Sequence, residues 1–142
     1  MNLVARAATE AGAIAFALAA LAVAMLYTTF GGVRVGSVLA PAIALGLVGG
    51  VTVFLSVWAF VSGRFPGKKP TLGTRRGAVI GVLAVVVVAS VHSFFTFGSS
   101  GFLYSLIGQV GYACVLGGGP AAAFGALLGR LVERRHFSGY GT

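Results

Sequence analysis

The sequence predicts an all-α integral membrane protein with four transmembrane helices arranged as two antiparallel hairpins. Composition is the first reason: 58% of the 142 residues are hydrophobic and only 8% are charged, whereas soluble domains carry about 25% charged residues. Second, four apolar runs each exceed the ~18 residues that mark a transmembrane helix. Third, the polar segments between the runs are short, so residues 1–142 are expected to form a single membrane domain.

The four apolar runs cover residues 11–30, 38–61, 77–97 and 102–128. A hydrocarbon core of ~30 Å requires about 20 helical residues at ~1.5 Å each, so every run is long enough to cross the bilayer once. The first run also has features of a signal peptide, because Arg6 precedes it and the Ala-Val-Ala at 22–24 matches a cleavage motif. The apolar stretch continues past this motif to Phe30, which favours a retained span.

The segments between the runs predict how the helices pair. Residues 31–37 and 98–101 are short connections, which favour antiparallel neighbours. The first run is therefore expected to pair with the second, and the third with the fourth. The loop 62–76 and the tail 129–142 are longer and basic, and both are expected in the cytoplasm.

The positions of the cations predict the orientation. Nine of the ten Lys and Arg residues precede the first run or lie in the loop 62–76 or the tail 129–142, and only Arg34 lies on the opposite side. The positive-inside rule then predicts a multi-pass protein of the cell membrane with both termini in the cytoplasm. The net charge of +8 is spread over loops instead of forming a patch on a folded surface, so nucleic-acid binding is not expected.

Aromatic residues near the expected outer ends of the runs match the belt that aromatic side chains form at membrane interfaces. They are Tyr27, Phe30, Phe94, Phe95, Phe97, Phe102 and Tyr104.

Small residues recur every four positions on three of the runs. This spacing predicts close contacts between helices, because small side chains let helix backbones approach each other in lipid. The predicted helix-packing residues are Gly46, Gly50, Gly77, Gly81, Gly117, Ala121, Gly125 and Gly129. These faces serve either internal packing of the bundle, which is favoured for the second and third runs, or contact with a second copy or a partner subunit.

The fourth run contains four poor helix formers in a row, Gly117 to Pro120. Counted from Phe102, they lie ~23 to 26 Å along the helix, near the inner boundary of the hydrocarbon core. The sequence predicts a helix bend at Gly118, Gly119 and Pro120. Beyond it the chain either continues as a kinked span or turns along the membrane interface on an apolar side formed by Phe124, Leu127, Leu128 and Leu131.

Of the Asp, Glu, Lys, Arg and His residues, only His92 lies inside an apolar run. Such residues are the default candidates for function in membranes. Gln109 of the fourth run lies at a similar depth, so a hydrogen bond between His92 and Gln109 is expected, with Ser93 and Ser105 extending a polar strip. This strip serves either as interhelical adhesion, worth ~0.6 kcal/mol per bond, or as a path for protons or solutes. The runs contain no acidic residue, which disfavours cation-coupled transport through a buried carboxylate.

Enzyme chemistry is not predicted, and neither a catalytic residue, a metal nor a cofactor is expected. Ser100 in the segment 98–101 lies near His92, which would suit a serine nucleophile and its base, but a short Gly/Ser turn is the commoner meaning of such a segment. The single Cys114 forms no CxxC motif. His136 lies in the tail, so one chain offers no pair of histidines at matching depth for a haem.

The residues together favour a non-enzymatic structural or accessory subunit that packs with itself or with a larger membrane complex through its Gly/Ala helix faces. The expected partners are therefore the lipid bilayer, a second copy of the chain or other membrane subunits. The alternative is an oligomeric small transporter or channel that uses the polar strip of His92 and Gln109.

Overall fold

The structure is a computed structural model that describes residues 3–32, 34–62 and 73–137. Its elements are α1 (Leu3–Phe30), α2 (Val35–Ser62), α3 (Gly73–Val132) and a short π-helical turn, Glu133–Phe137. The described part of the chain is helical and contains no strand, which confirms the predicted all-α class. Three stretches within it are long and apolar enough to cross a membrane: Leu3–Thr29, Gly36–Val61 and Thr74–Phe95.

Helices α1 and α2 form an antiparallel pair in which glycines replace bulky side chains at the contact. A Cβ atom placed on Gly50 would lie 2.9 Å from the carbonyl oxygen of Gly12, and one placed on Gly46 would lie 2.9 Å from the Cβ of Ala20. Residue numbers therefore rise along one helix as they fall along the other. Gly32 lies in the short connection with a φ of 61°, a left-handed conformation that glycine adopts without steric cost.

Helix α3 contains a reversal of the chain at Gly98. Its φ of 71° and ψ of -176° are the non-helical dihedral angles within α3, and this region of backbone conformation is essentially restricted to glycine. Gly98 divides α3 into an N-terminal limb, residues 73–97, and a C-terminal limb, residues 99–132.

The two limbs of α3 pack against each other. In a straight helix, Gly77 and Gly125 would be ~72 Å apart, because 48 residues separate them at ~1.5 Å each. Instead, a Cβ atom on Gly77 would overlap the carbonyl group of Gly125, and one on Gly81 would overlap that of Ala121. The limbs therefore run antiparallel and touch backbone to backbone.

The helices extend beyond the apolar runs that predicted them. Helix α1 begins at Leu3 instead of residue 11, and α3 begins at Gly73, so residues 73–76 are helical although the sequence placed them in a loop. Hydropathy locates the part of a helix that lies in hydrocarbon, but backbone hydrogen bonding continues outside it. The exposed Arg6 and Arg75 lie on these extensions.

Two further boundaries differ from the sequence prediction. The expected turn 98–101 is reduced to Gly98, because residues 99–101 are already helical. The first residues of the expected tail are also helical: α3 continues to Val132 and is followed by the π-helical turn. Residues 63–72, the centre of the predicted basic loop, and residues 138–142 of the tail lie outside the described ranges.

The core lies at one end of the bundle, where α1, the end of α2 and both limbs of α3 meet. Its buried residues are Ala7, Ala8, Ala11, Val53, Val57, Val61, Ile80 and Val132. Larger apolar side chains point outward, above all a stripe on α2 formed by Leu39, Ile43, Leu47, Val51 and Leu55. Small residues inside and large apolar residues outside are the arrangement expected of helices that pack in lipid.

Candidate functional site

A polar contact joins α1 to the N-terminal limb of α3. The hydroxyl group of Tyr27 and Nε2 of His92 form a hydrogen bond, and the two rings meet edge to face with their centroids 6.0 Å apart. His92 is half-buried. In the tautomer whose Nε2 carries no proton, Nε2 accepts a hydrogen bond from the tyrosine hydroxyl. In the other tautomer, Nε2–H donates to the phenolic oxygen. The contact ties together residues 65 positions apart in the sequence.

The sequence prediction for His92 named a different partner. It proposed Gln109, with Ser105 extending the strip, but the side chains of both residues lie outside the described part of the structure. Tyr27 was assigned only to the aromatic belt. A signal for the contact was present, because Tyr27 and His92 both lie near the same expected membrane surface on helices that run in the same direction.

Serine residues around His92 are satisfied or buried. Ser93 is completely buried. The hydroxyl of Ser90 donates to the carbonyl oxygen of Val86 at 2.7 Å on its own helix, as Thr28 does to Ala24 at 2.8 Å. Ser90 therefore turns onto its own helix. We call Tyr27, His92 and the buried Ser93, which follows His92 in the sequence, the polar cluster.

The cluster offers limited chemistry. A tyrosine hydroxyl and one imidazole can exchange or hold a proton, but a metal site requires several converging ligands. Among the described residues, no group of three or more His, Cys, Asp or Glu side chains could hold a metal ion.

An ion pair closes the opposite end of the bundle. Nη1 of Arg135 lies 2.5 Å from Oε1 of Glu10, and the side chains are 63% and 22% exposed, respectively. The contact attaches the π-helical turn to α1. Because an exposed pair is screened by water, its contribution to stability is ~0–1 kcal/mol.

Most of the predicted helix-packing glycines lie in contacts within this chain. Gly46 and Gly50 lie against α1, where Phe16 and Ala20 approach them. Gly77 and Gly81 of the N-terminal limb lie against the C-terminal limb at Ala121, Gly125 and Gly129. Gly117 differs, since no described atom would come within 4 Å of a Cβ placed on it.

The C-terminal limb of α3 also carries a face without a neighbour. A Cβ atom on Gly108, Gly111 or Gly119 would meet no atom within 4 Å among the described residues, and Val115 is 82% exposed. Their spacing of three and four residues places them on one side of the helix. We call Gly108, Gly111, Val115 and Gly119 the open glycine face.

The segment Gly117 to Pro120 keeps helical dihedral angles. Within α3 the non-helical angles occur at Gly98, so the helix continues through Pro120 instead of ending and restarting there. The chain reversal itself lies at Gly98, within the connection 98–101 that the sequence predicted. The bend at Gly118, Gly119 and Pro120 stays a prediction.

Long apolar helices, small residues at their contacts and large apolar side chains on their outer surfaces define a helical protein that is embedded in a membrane. No family model matches the chain, and no curated protein or solved structure matches it significantly. A functional proposal therefore depends on the geometry of this chain.

Proposed function

We propose that the protein is a non-enzymatic accessory subunit that packs against another membrane protein, or against a second copy of itself, through the open glycine face. Four transmembrane helices arranged as two hairpins, with both termini in the cytoplasm of the cell, form its scaffold. The proposal is supported above all by the accessible backbone at Gly108, Gly111 and Gly119.

The argument starts from the contrast between two sets of glycines. Gly50 and Gly77 meet neighbouring helices of the same chain, so they are used in forming the bundle. The open glycine face meets nothing within the described chain, yet it has the same composition. In lipid, helices associate through van der Waals contacts that require close backbone approach. A second helix packed on this face would make close backbone contacts of the kind that Gly50 and Gly77 make within the bundle.

Substitution of the open glycine face tests the proposal. The protein carrying both Gly111→Leu and Gly119→Leu is purified in mild detergent and compared with the unmodified protein by native mass spectrometry and by crosslinking in the source membrane. We expect a stoichiometric complex, either a homo-oligomer or a complex with one membrane protein, that the double substitution abolishes.

Gly36→Leu is the matched control, because Gly36 is also exposed and a Cβ atom placed on it meets no described atom within 4 Å. It lies on α2, outside the proposed interface, and is expected to leave the complex intact. A protein that remains monomeric in both experiments, or a complex that the double substitution leaves unchanged, contradicts the proposal.

The alternative function, an oligomeric transporter or channel, is supported by the cluster of Tyr27, His92 and buried Ser93. A titratable residue within a span is the usual component of a proton path. Proton flux into vesicles loaded with a pH-sensitive dye distinguishes the two functions. If the protein transports protons, the flux exceeds that of empty vesicles, and His92→Ala abolishes the excess. An accessory subunit gives no such excess.

A further inference from the structure

A groove of about 450 Å³ lies between α1 and the C-terminal limb of α3. Its walls are apolar: Ile14 and Leu18 of α1 face Phe124, Leu127 and Leu131 of α3. Leu18, Phe124, Leu127 and Leu131 are large apolar side chains that remain exposed in the folded chain. The groove therefore opens sideways, toward the space that the bilayer occupies, and its volume falls in the range of ~300–1,000 Å³ typical of small-molecule sites.

One end of the groove is cationic. Arg130 and Arg134 line it, and their spacing of four residues places both guanidinium groups on the same side of the helix. Both side chains are exposed. The other arginine of this segment, Arg135, is paired with Glu10. Within the described ranges no carboxylate forms an ion pair with Arg130 or Arg134.

The local charge favours an anionic occupant. The chain contains only two acidic residues, of which Glu10 is already in an ion pair and Glu133 is half-buried in the π-helical turn. Two exposed guanidinium groups next to one another present ten N–H donors, which suit phosphate oxygens better than any neutral group.

The length of the groove matches one leaflet. Phe124 and Arg134 are ten residues apart, which corresponds to ~15 Å along a helix. Half of a ~30 Å hydrocarbon core is also ~15 Å. The apolar walls therefore extend ~15 Å from the arginines, about the length of an acyl chain in one leaflet. A molecule with an anionic head and an apolar tail of that length fits the groove along its whole extent.

We propose that the groove binds an anionic phospholipid, with its phosphate held by Arg130 and Arg134 and an acyl chain lying between α1 and the C-terminal limb of α3. Basic sites between transmembrane helices at the cytoplasmic surface are known to bind anionic headgroups. The proposal goes beyond the accessory function, because it concerns a different surface and holds whether or not the open glycine face has a partner.

Quenching of a tryptophan by brominated lipids tests the lipid site. The full chain with Trp58→Phe and Leu127→Trp is reconstituted into vesicles of equal phosphatidylglycerol and phosphatidylcholine, with bromine on one lipid or on the other. We expect brominated phosphatidylglycerol to quench more strongly. Arg130→Gln together with Arg134→Gln should lower that preference by about fivefold for each arginine removed, since each cation near the surface attracts anionic lipid with ~1 kcal/mol.

Two controls separate the groove from the general charge of the protein. Leu47→Trp, in the same Trp58→Phe background, places the tryptophan on the outward stripe of α2 and is expected to be quenched equally by both lipids. Arg34→Gln together with Arg75→Gln removes two exposed cations outside the groove and should leave the preference at position 127 unchanged.

Three results overturn the proposal. Equal quenching by the two lipids at position 127 shows no selective site, and a preference that survives the Arg130 and Arg134 substitutions shows that these residues do not hold the headgroup. If neither lipid quenches the tryptophan at position 127, a second copy or another part of the protein occupies the groove.

Discussion

Gly77 lies at one of the tightest backbone contacts among the described residues. A Cβ atom on Gly77 would overlap the carbonyl group of Gly125, so Gly77→Ala must push the two limbs of α3 apart. We expect a destabilisation of ~1–3 kcal/mol, the range for overpacked positions. The loss of stability is measured by circular dichroism while the detergent micelles are enriched in sodium dodecyl sulfate.

Gly117→Ala is the control for Gly77→Ala, because both glycines are on α3 and both were predicted to pack. Gly117 has no described atom near its missing Cβ, and alanine is favoured over glycine in a helix by up to ~1 kcal/mol. The control should unfold at the same or a higher denaturant fraction. Equal destabilisation by the two substitutions would show that the glycine contact is not the cause.

The hydrogen bond between Tyr27 and His92 is best measured as a coupling energy. A double-mutant cycle with Tyr27→Phe and His92→Ala removes each partner alone and then both. We expect a coupling of ~0.6 kcal/mol and at most ~1.7 kcal/mol, the range found for hydrogen bonds between transmembrane helices. Strictly additive effects on unfolding would mean that the two side chains do not stabilise each other.

Tyr27 was not among the partners that the sequence predicted for His92. Counting residues placed His92 inside its span and near one surface, and in the structure it contacts Tyr27 near the end of α1. Rotation of each helix about its axis decides which neighbour the imidazole meets, and a single sequence does not contain that rotation. The same limit hid the ion pair of Glu10 and Arg135, which are 125 residues apart.

At the scale of elements, the reversal at Gly98 depends on a backbone conformation that other residues avoid. With a φ of 71° and a ψ of -176°, a side chain at this position costs ~1–3 kcal/mol. Gly98→Ala should therefore destabilise the protein by that amount, although its Cβ would meet no described atom within 4 Å. Unfolding in the same detergent mixture measures the loss.

Gly36→Ala provides the comparison for Gly98→Ala. It has equal space around it but lies within α2 and has no positive φ, so the substitution should be neutral or slightly stabilising. If Gly98→Ala were equally harmless, the reversal would not depend on the glycine conformation.

Apolar runs predicted that the helices exist, but not where they end. The run beginning at residue 77 identified α3, yet the helix starts at Gly73 because Arg75 and Arg76 can remain helical while their charged groups reach the membrane surface. The segment 98–101 predicted a turn of four residues, and the chain reverses at Gly98 with residues 99–101 already helical. Hydropathy measures the preference for lipid and is insensitive to the dihedral angles that make a turn.

At the scale of the whole molecule, the number of spans determines whether the two termini share a side of the membrane. Four spans place both on the same side, which the positions of the cations predict to be the cytoplasm, and three would place them on opposite sides. We expect a fluorescent protein fused after Thr142 to fluoresce and alkaline phosphatase fused there to be inactive, because each reporter works on one side only.

A fusion after Gly98 is the internal control for the topology experiment. Three apolar stretches precede this residue, ending with Thr74–Phe95, so the reporters should show the opposite pattern there. The same pattern at both fusion points would exclude a fourth span and with it the two-hairpin arrangement.

The tightest glycine contacts lie within the two halves of the chain. Gly50 meets Gly12, and Gly77 meets Gly125, so these contacts are made before or after the segment that joins Ser62 to Gly73. Contact between the halves is looser, since a Cβ atom on Gly49 would lie 3.5 Å from Val88. Each of the tight contacts needs only residues of its own half of the chain. The first helix pair can thus assemble in the bilayer while the ribosome is still synthesising the second, and the finished molecule corresponds to a heterodimer whose two subunits happen to share one polypeptide.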